Sequence, residues 1–172
     1  MIWLNRELTR PFISLCILTL LLAFPVTGHA HFLGNDSVDG NEIRWGTSKG
    51  TTGWTSARDH AISKWDALGT INIAPDTSTT VEDLSFRDVD RHDVAWSGRW
   101  IPLSGADVIE YNDYYFYDFT VDQRKHTALH EMGHALGLDH HNLSGNVMRS
   151  GFWSYTELGA HDKEDYYALW GR

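Results

Sequence analysis

The segment from His130 to His140 constrains the fold and chemistry of this chain more than any other stretch. His130 and His134 are four residues apart, so on an α-helix their side chains share one face. Glu131 lies one position round from His130 and borders the same cleft without being needed as a ligand. Gly137 can adopt a positive φ and turn the chain back, which lets His140 approach the same point. Three neutral imidazoles with a fourth position open to water form a catalytic type of zinc site.

Two neighbouring histidines bear on this assignment. His141 directly follows His140 and is a rival third ligand, although the spacing of the motif favours His140. His126 lies on the same helix face, but about 12 Å of helix separates it from His134, so it cannot share the same ion. We therefore predict His130, His134 and His140 as zinc ligands, and His126 as a surface residue or one behind the ligands. The alternative is a solvated helix whose histidines have this spacing by chance.

Residues 1–30 have the layout of a secretory signal peptide. Two arginines precede an almost wholly apolar run over 12–26, and Gly28-His29-Ala30 offers small residues at the positions that a signal peptidase reads. The run is short for a transmembrane helix, which needs about 20 residues, so an uncleaved anchor is the alternative. Cleavage after Ala30 would remove the single cysteine, Cys16, and leave residues 31–172 as one catalytic domain. We expect a secreted, extracellular protein that packing and metal stabilise without disulfides.

Other candidate metal sites rest on single residues or acidic composition. We predict His60 and His92 as ordinary polar residues, with a second, structural zinc at His92 or Asp93 as the alternative. His31, as the first residue after cleavage, would offer an amine and an imidazole to copper. With no second ligand set evident, we expect one zinc per chain. A calcium site, for which a solvated acidic loop is the alternative, has as candidates Asp36, Asp39, Asp88, Asp90 and Asp93.

The apolar pattern predicts an α+β fold. Alternating apolar residues indicate five short strands, at 41–45, 71–73, 84–86, 94–96 and 108–111. An early helix is predicted from an N-cap at Thr55 or Ser56 to Gly69, and a closing helix over 162–170. The helix of the histidines is predicted to begin near Thr120, which can form a capping box with Gln123. Strands followed by helices, with one early crossover helix, indicate a twisted mixed sheet of about five strands.

The segment His130–His140, which ends in Leu138-Asp139-His140, resembles the zinc motif of the metzincins, and especially that of the matrixin-like branch with its small bacterial members. Val147-Met148 follows His140 at the distance where matrixins place the methionine of their Met-turn. The last residues, through Leu169-Trp170-Gly171, are similar to the closing matrixin helix with its Leu-Tyr-Gly finish. The resemblance covers residues 120–172 with specific motifs, and residues 41–119 only in the order of strands and helix. Ser150 departs from the pattern, because matrixins have proline at this position.

The resemblance implies a metzincin-type zincin fold and a zinc-dependent endopeptidase. In such an enzyme a zinc-bound water attacks the peptide carbonyl, and Glu131 acts as the general base before it protonates the leaving amine. Met148 would be the structural methionine of the Met-turn, a buried platform that is no ligand. Tyr155 is a further candidate for holding the oxyanion.

The expected partners are protein or peptide substrates, and we expect a monomer that has no membrane contact after signal cleavage. A net charge of −9, from 23 acidic and 14 basic residues, argues against a nucleic-acid partner. Two other functions stay open: a zincin-fold protein that binds zinc without peptidase activity, and a zinc hydrolase of a non-peptide bond. Peptidase activity that is lost when Glu131 is replaced would exclude the protein that binds zinc without turnover. A substrate panel would distinguish a peptidase from a hydrolase of a non-peptide bond.

Overall fold

A computed structural model describes residues 30–171, so the predicted signal peptide lies almost wholly outside the described residues and stays a prediction. Within that range, no helix is long and apolar enough to cross a membrane. The strands are β1 (Glu42–Gly46), β2 (Asn72–Pro75), β3 (Leu84–Val89), β4 (Gly98–Ile101) and β5 (Asp107–Asn112). The helices are α1 (Thr55–Asp66), α2 (Asp113–Phe116), α3 (Val121–Ala135) and α4 (Ala160–Trp170). The predicted α+β fold with a mixed sheet is confirmed.

The sheet has the order β2-β1-β3-β5-β4. β1, β2, β3 and β5 are parallel, whereas β4 pairs antiparallel with β5 and forms one edge. All six residues of β5 are buried, which makes it a central strand. The helix α1 crosses over between β1 and β2 and packs against α3, where the Trp65 indole N–H donates to the Leu129 carbonyl at 2.9 Å. The helix α3 also contacts β4, so one sheet edge lies beside the histidines.

The helix α3 begins and packs as the sequence predicts. The Thr120 backbone N–H donates to the Gln123 side chain at 2.9 Å, and the Gln123 N–H donates to the Thr120 hydroxyl at 3.3 Å. This capping box satisfies two backbone donors that the first helical turn leaves free. The apolar side is fully buried at Ala128, Leu129, Met132, Ala135 and Leu136. Because this side of α3 is buried in the core, the opposite side, which carries His130 and His134, is directed towards the cleft.

The strand predicted at 94–96 is wrong, because the fourth strand is Gly98–Ile101. Side chains bind the carbonyls of the predicted segment and hold it as a loop. The Tyr115 hydroxyl donates to the Val94 carbonyl at 2.5 Å, and the Asn112 amide donates to the Trp96 carbonyl at 3.1 Å. Apolar alternation alone does not reveal that these backbone groups are already bound.

Three helix details also differ from the prediction. Trp54 is the N-cap of α1 and makes no side-chain cap bond, so neither Thr55 nor Ser56 has that role. The helix α4 begins at Ala160, two residues before the predicted start, because the Asp162 carboxylate accepts the Gly159 N–H at 2.7 Å. The four-residue helix α2 was not predicted, and the Asn112 side chain caps it by accepting from the Tyr114 N–H at 3.3 Å.

Candidate active site

The three predicted ligand histidines converge on one point. Their Nε2 atoms are separated by 2.9 Å for His130 and His140, 3.2 Å for His130 and His134, and 3.0 Å for His134 and His140. A tetrahedral zinc ion with Zn–N bonds near 2.0–2.1 Å separates its ligand nitrogens by about 3.3 Å. The donor set and its spacing therefore fit such an ion, while the assignment as ligands stays a prediction.

Backbone carbonyls orient the two helical imidazoles. His130 Nδ1 lies 2.7 Å from the Val147 carbonyl, and His134 Nδ1 lies 2.8 Å from the Leu138 carbonyl. A carbonyl only accepts, so each Nδ1 carries the hydrogen and each Nε2 presents its lone pair. Burial lowers the pKa of His134 to about 4, and burial together with the adjacent His134 holds the pKa of His130 well below its usual value. Both rings are neutral at pH 7, which is the form that binds a metal ion.

The turn after α3 follows the predicted glycine. Gly137 has a φ of +85°, a conformation that favours glycine. The Leu138 N–H donates to the Gly133 carbonyl at 3.0 Å, which closes the helix end. The Asp139 N–H donates to the His31 carbonyl at 2.8 Å, so the chain turns back along the first described residues. This return places the exposed His140 opposite the two helical histidines.

Glu131 is held beside the imidazoles without joining their convergence. Its side chain is buried and lines the same cleft of about 380 Å³ as His130, His134 and His140. Burial raises the pKa of Glu131 to about 8, and the Trp100 backbone N–H, which donates to the carboxylate, opposes this rise. The cleft therefore contains a carboxyl group whose protonation is balanced near neutral pH.

Close approach of β4 to α3 requires a glycine. A Cβ at Gly98 would lie 2.7 Å from Thr127 Cγ2 and 3.0 Å from Glu131 Cγ. Only a residue without a side chain lets the edge strand come this near to the carboxylate. Neither Gly98 nor the Trp100 N–H was identified from the sequence, because nothing in the local pattern relates β4 to α3.

Met148 lies in a buried position against Gly133, the residue of α3 that precedes His134. Its side chain is 1% exposed, and its Sδ would lie 2.3 Å from a Cβ at Gly133. The Asp162 carboxylate fixes this turn by accepting the Val147 N–H at 2.8 Å and the Met148 N–H at 3.0 Å. The position suits the predicted platform, and Asp162 is a supporting residue that no sequence signal indicated.

The other candidates near the motif have different surroundings. His141 is buried away from the convergence of the three histidines, with its Nδ1 accepting the Leu143 N–H at 3.2 Å. His126 is 2% exposed, so a surface position is wrong, and its Nδ1 lies 3.1 Å from the Tyr155 carbonyl. The Tyr155 hydroxyl lies 3.5 Å from the Ser144 hydroxyl, and Tyr155 is not among the residues that line the cleft. His126 does line it, and it packs behind His130 with ring centroids 6.2 Å apart.

Apart from His31, the remaining polar candidates do not assemble into metal sites among residues 30–171. His60 Nε2 lies 2.8 Å from the Thr156 carbonyl, as expected of an ordinary polar residue. Asp93 binds Arg91 through two hydrogen bonds of 2.7 and 2.8 Å, and Asp88 accepts the Gly53 N–H at 2.6 Å. Over residues 30–171, the groups of three or more potential ligands include neither His92, Asp93 nor any carboxylate of the candidate calcium site.

Comparisons with known proteins give a likeness in fold. No protein-family model and no curated protein matches the sequence. The structure is similar to that of myroilysin, a metalloprotease, with a TM-score of 0.56 over 83% of this chain and 98% of that chain. The two sequences are 12% identical, so the similarity concerns the fold alone. The chain thus has a fold similar to that of myroilysin, and the three histidines form a group that could hold a metal ion.

Proposed function

We propose that this chain is a secreted zinc-dependent endopeptidase of the metzincin type, with His130, His134 and His140 as zinc ligands. One observation carries the proposal: a single cleft contains both the convergent imidazoles and the buried carboxylate of Glu131, which takes no part in the convergence. A site that only stores zinc has no use for such a carboxylate. Hydrolysis needs one to move a proton.

Glu131 performs the proton transfer in this proposal. Zinc, when bound, supplies Lewis-acid chemistry to water and to the carbonyl oxygen of the substrate. Burial raises the pKa of Glu131 to about 8, and the positive charge of a bound zinc ion would lower this pKa, so that the carboxylate would be ionised at neutral pH. The carboxylate accepts the proton of the attacking water and then delivers it to the nitrogen of the leaving amine. The Trp100 N–H holds the carboxylate in place for both transfers.

The sheet edge beside the cleft supports a peptide as substrate. β4 pairs with β5 on one side, and Gly98, Arg99 and Trp100 line the cleft. An extended peptide can bind along a free strand edge through main-chain hydrogen bonds, which gives affinity without demanding one sequence. Backbone recognition of this kind favours protein and peptide substrates over a small non-peptide ester or amide.

Membership of the matrixin-like branch and export are further parts of the proposal. The Met148 platform and the closing helix α4 support the branch, whereas Ser150 in place of proline departs from it. Export would remove residues 1–30, so N-terminal sequencing of the secreted protein is expected to begin at His31. A membrane-bound product that retains Met1 would contradict the signal peptide.

The experiment that tests the activity is Glu131→Gln on the zinc-loaded protein. The amide keeps the shape of the side chain but cannot accept the proton, so hydrolysis of a quenched peptide should fall at least 10²–10⁴-fold. Zinc content and thermal unfolding should stay as in the wild type. Glu157→Gln is the matched control, because Glu157 is exposed and pairs with Lys64 at 2.6 Å outside the cleft.

The possible outcomes test the role of Glu131 and separate the three candidate functions. Cleavage by Glu131→Gln at near the wild-type rate would exclude Glu131 as the base. A zinc-loaded wild type that cleaves no member of a broad peptide library would instead favour zinc binding without turnover. Hydrolysis restricted to the non-peptide substrates of a panel would indicate a zinc hydrolase of a non-peptide bond.

A further inference from the structure

A second cluster of potential metal ligands lies outside the cleft. It consists of His31, His161 and Asp165, each of which offers one atom within 4.8 Å of the others. His31 Nδ1 lies 3.6 Å from Asp165 Oδ2, and His161 Nε2 lies 3.5 Å from the same oxygen. The separations are similar to the edge of about 3.3 Å that a tetrahedral zinc ion imposes on its ligand atoms.

The three atoms are buried and have no hydrogen-bond partner among residues 30–171. The side chain of Asp165 is 4% exposed and that of His161 is 12% exposed, so water has little access to them. A buried carboxylate oxygen without a donor is costly, and native structures normally satisfy such groups. The cluster is therefore incomplete as a set of protein groups alone.

Hydrogen bonding of His161 indicates that the cluster lacks a positive charge between its atoms. Its Nδ1 lies 3.2 Å from the Glu164 carboxylate, which accepts the ring hydrogen. The lone pair of Nε2 then faces Asp165 Oδ2 at 3.5 Å, and two lone pairs repel unless a positive charge lies between them. A histidine that donates to a carboxylate from one nitrogen while its other nitrogen binds a metal is a common arrangement in metal sites.

We propose that His31 Nδ1, His161 Nε2 and Asp165 Oδ2 bind a second divalent metal ion of the zinc class. Two imidazoles and a carboxylate are ligands that zinc accepts. Local charge also favours a cation, because Glu164 lies beside His161, and the ion pairs of Asp165 within the described chain involve only histidines.

His141 forms a wall of this site and is not one of its ligands. Its ring lies 5.9 Å from that of His31 and 4.8 Å from that of His161. Its Nδ1 accepts the Leu143 N–H, so Nε2 carries the hydrogen and points it towards Asp162 Oδ1 at 3.5 Å. The histidine next to the third cleft ligand thus faces the second site.

The second ion would join the first described residues to α4. The same N-terminal stretch pairs with the turn that carries His140, through the bond from the Asp139 N–H to the His31 carbonyl and one of 2.9 Å from the Leu33 N–H to the Gly137 carbonyl. An ion at His31 would therefore fix the N-terminal segment that pairs with that turn. Its role would be structural, since the Asp165 and His161 side chains are 4% and 12% exposed and the cluster lies outside the cleft that contains Glu131.

The test is a count of zinc ions per chain by mass spectrometry after equilibration with zinc and gel filtration. We expect two ions in the wild type, one in His134→Ala, one in Asp165→Asn, and none in the double variant. His92→Ala is the control for loss of a histidine, because His92 is exposed, and it should hold two ions. The count is independent of whether the cleft hydrolyses peptides, so its failure differs from failure of the proposed function.

A wild type that holds one ion at saturating zinc overturns the proposal, as does Asp165→Asn with the same count as the wild type. A lower melting temperature in Asp165→Asn without loss of zinc would identify a histidine–aspartate ion pair instead. Should Asp165→Asn fail to fold, His31→Ala replaces it, because the His31 side chain is 39% exposed and tolerates truncation. This variant should also bind one ion fewer than the wild type.

Discussion

The histidine cluster of the cleft and the His31–His161–Asp165 cluster have similar donor spacing but different surroundings. In the cleft the nitrogens are 2.9–3.2 Å apart, His140 is exposed, and Glu131 lies alongside. In the second cluster the separations are 3.5–3.6 Å, and its carboxylate is buried. Zinc sites that catalyse keep an open position, whereas structural sites are closed. Access to solvent and a neighbouring carboxylate therefore distinguish the two clusters more than the spacing of their donor atoms does.

The largest expected difference between the clusters is in peptide hydrolysis. His134→Ala removes a proposed zinc ligand of the cleft, and we expect at least the 10²–10⁴-fold loss of activity that is expected for Glu131→Gln, because the Lewis acid would be lost. Asp165→Asn removes a ligand of the second cluster and should keep activity within about tenfold, the lower end of what outer-shell changes cost. Initial rates on a quenched peptide measure both. Equal losses in the two variants would show that the clusters do not have separate roles.

The adjacent histidines His140 and His141 sharpen the same distinction. His140→Ala should weaken zinc binding in the cleft by more than the 10–100-fold typical of outer-shell losses, because it removes a ligand. His141→Ala should affect the cleft ion far less, since its ring faces His161 and Asp162. Competition with a chromogenic chelator measures the two affinities. The reverse order would make His141 the third ligand.

Acid should destabilise the metal-free cleft. The pKa of His134 is about 4 in the folded protein because of burial, against about 6.5 in an unfolded chain. The stability that depends on a neutral His134 is fully present above about pH 6.5. It is lost as the pH falls towards 4, because the unfolded chain binds a proton at His134 in this range and the folded protein does not. The loss amounts to about 3 kcal/mol in the free energy of unfolding. Urea unfolding at several pH values, with wild type and His134→Ala both freed of metal by a chelator, measures this loss. If the free energy of unfolding has the same pH dependence in both proteins, His134 does not cause the loss.

The smallest predicted effect concerns the platform under the cleft. Gly133→Ala places a Cβ 2.3 Å from Met148 Sδ, and overpacking of this kind costs about 1–3 kcal/mol of unfolding free energy. Gly53→Ala is the matched control, because its nearest neighbour would be Asp88 at 3.6 Å, an ordinary contact. Urea unfolding compares the two. A Gly133→Ala protein as stable as the control would show that Met148 moves aside freely.

Local signals identified the parts of the molecule whose partners are near in sequence. The capping box of Thr120 and Gln123, the buried side of α3 and the positive φ of Gly137 each depend on residues a few positions apart. The spacing of residues within one helix and its turn was therefore enough to predict that His130, His134 and His140 lie close together. The same local reasoning failed at 94–96, where side chains from α2 and its cap bind the carbonyls.

The sequence by itself determined the three cleft histidines, the position of Glu131 beside them and the class of fold, because helical periodicity and one glycine turn encode them. Only the tertiary structure decided that the Trp100 N–H holds Glu131, that Asp162 supports Met148, and that His31 meets Asp165. These contacts join residues far apart along the chain. No local sequence pattern predicts such long-range contacts, because they depend on how the sheet, α3 and α4 pack and on the loops that this packing closes.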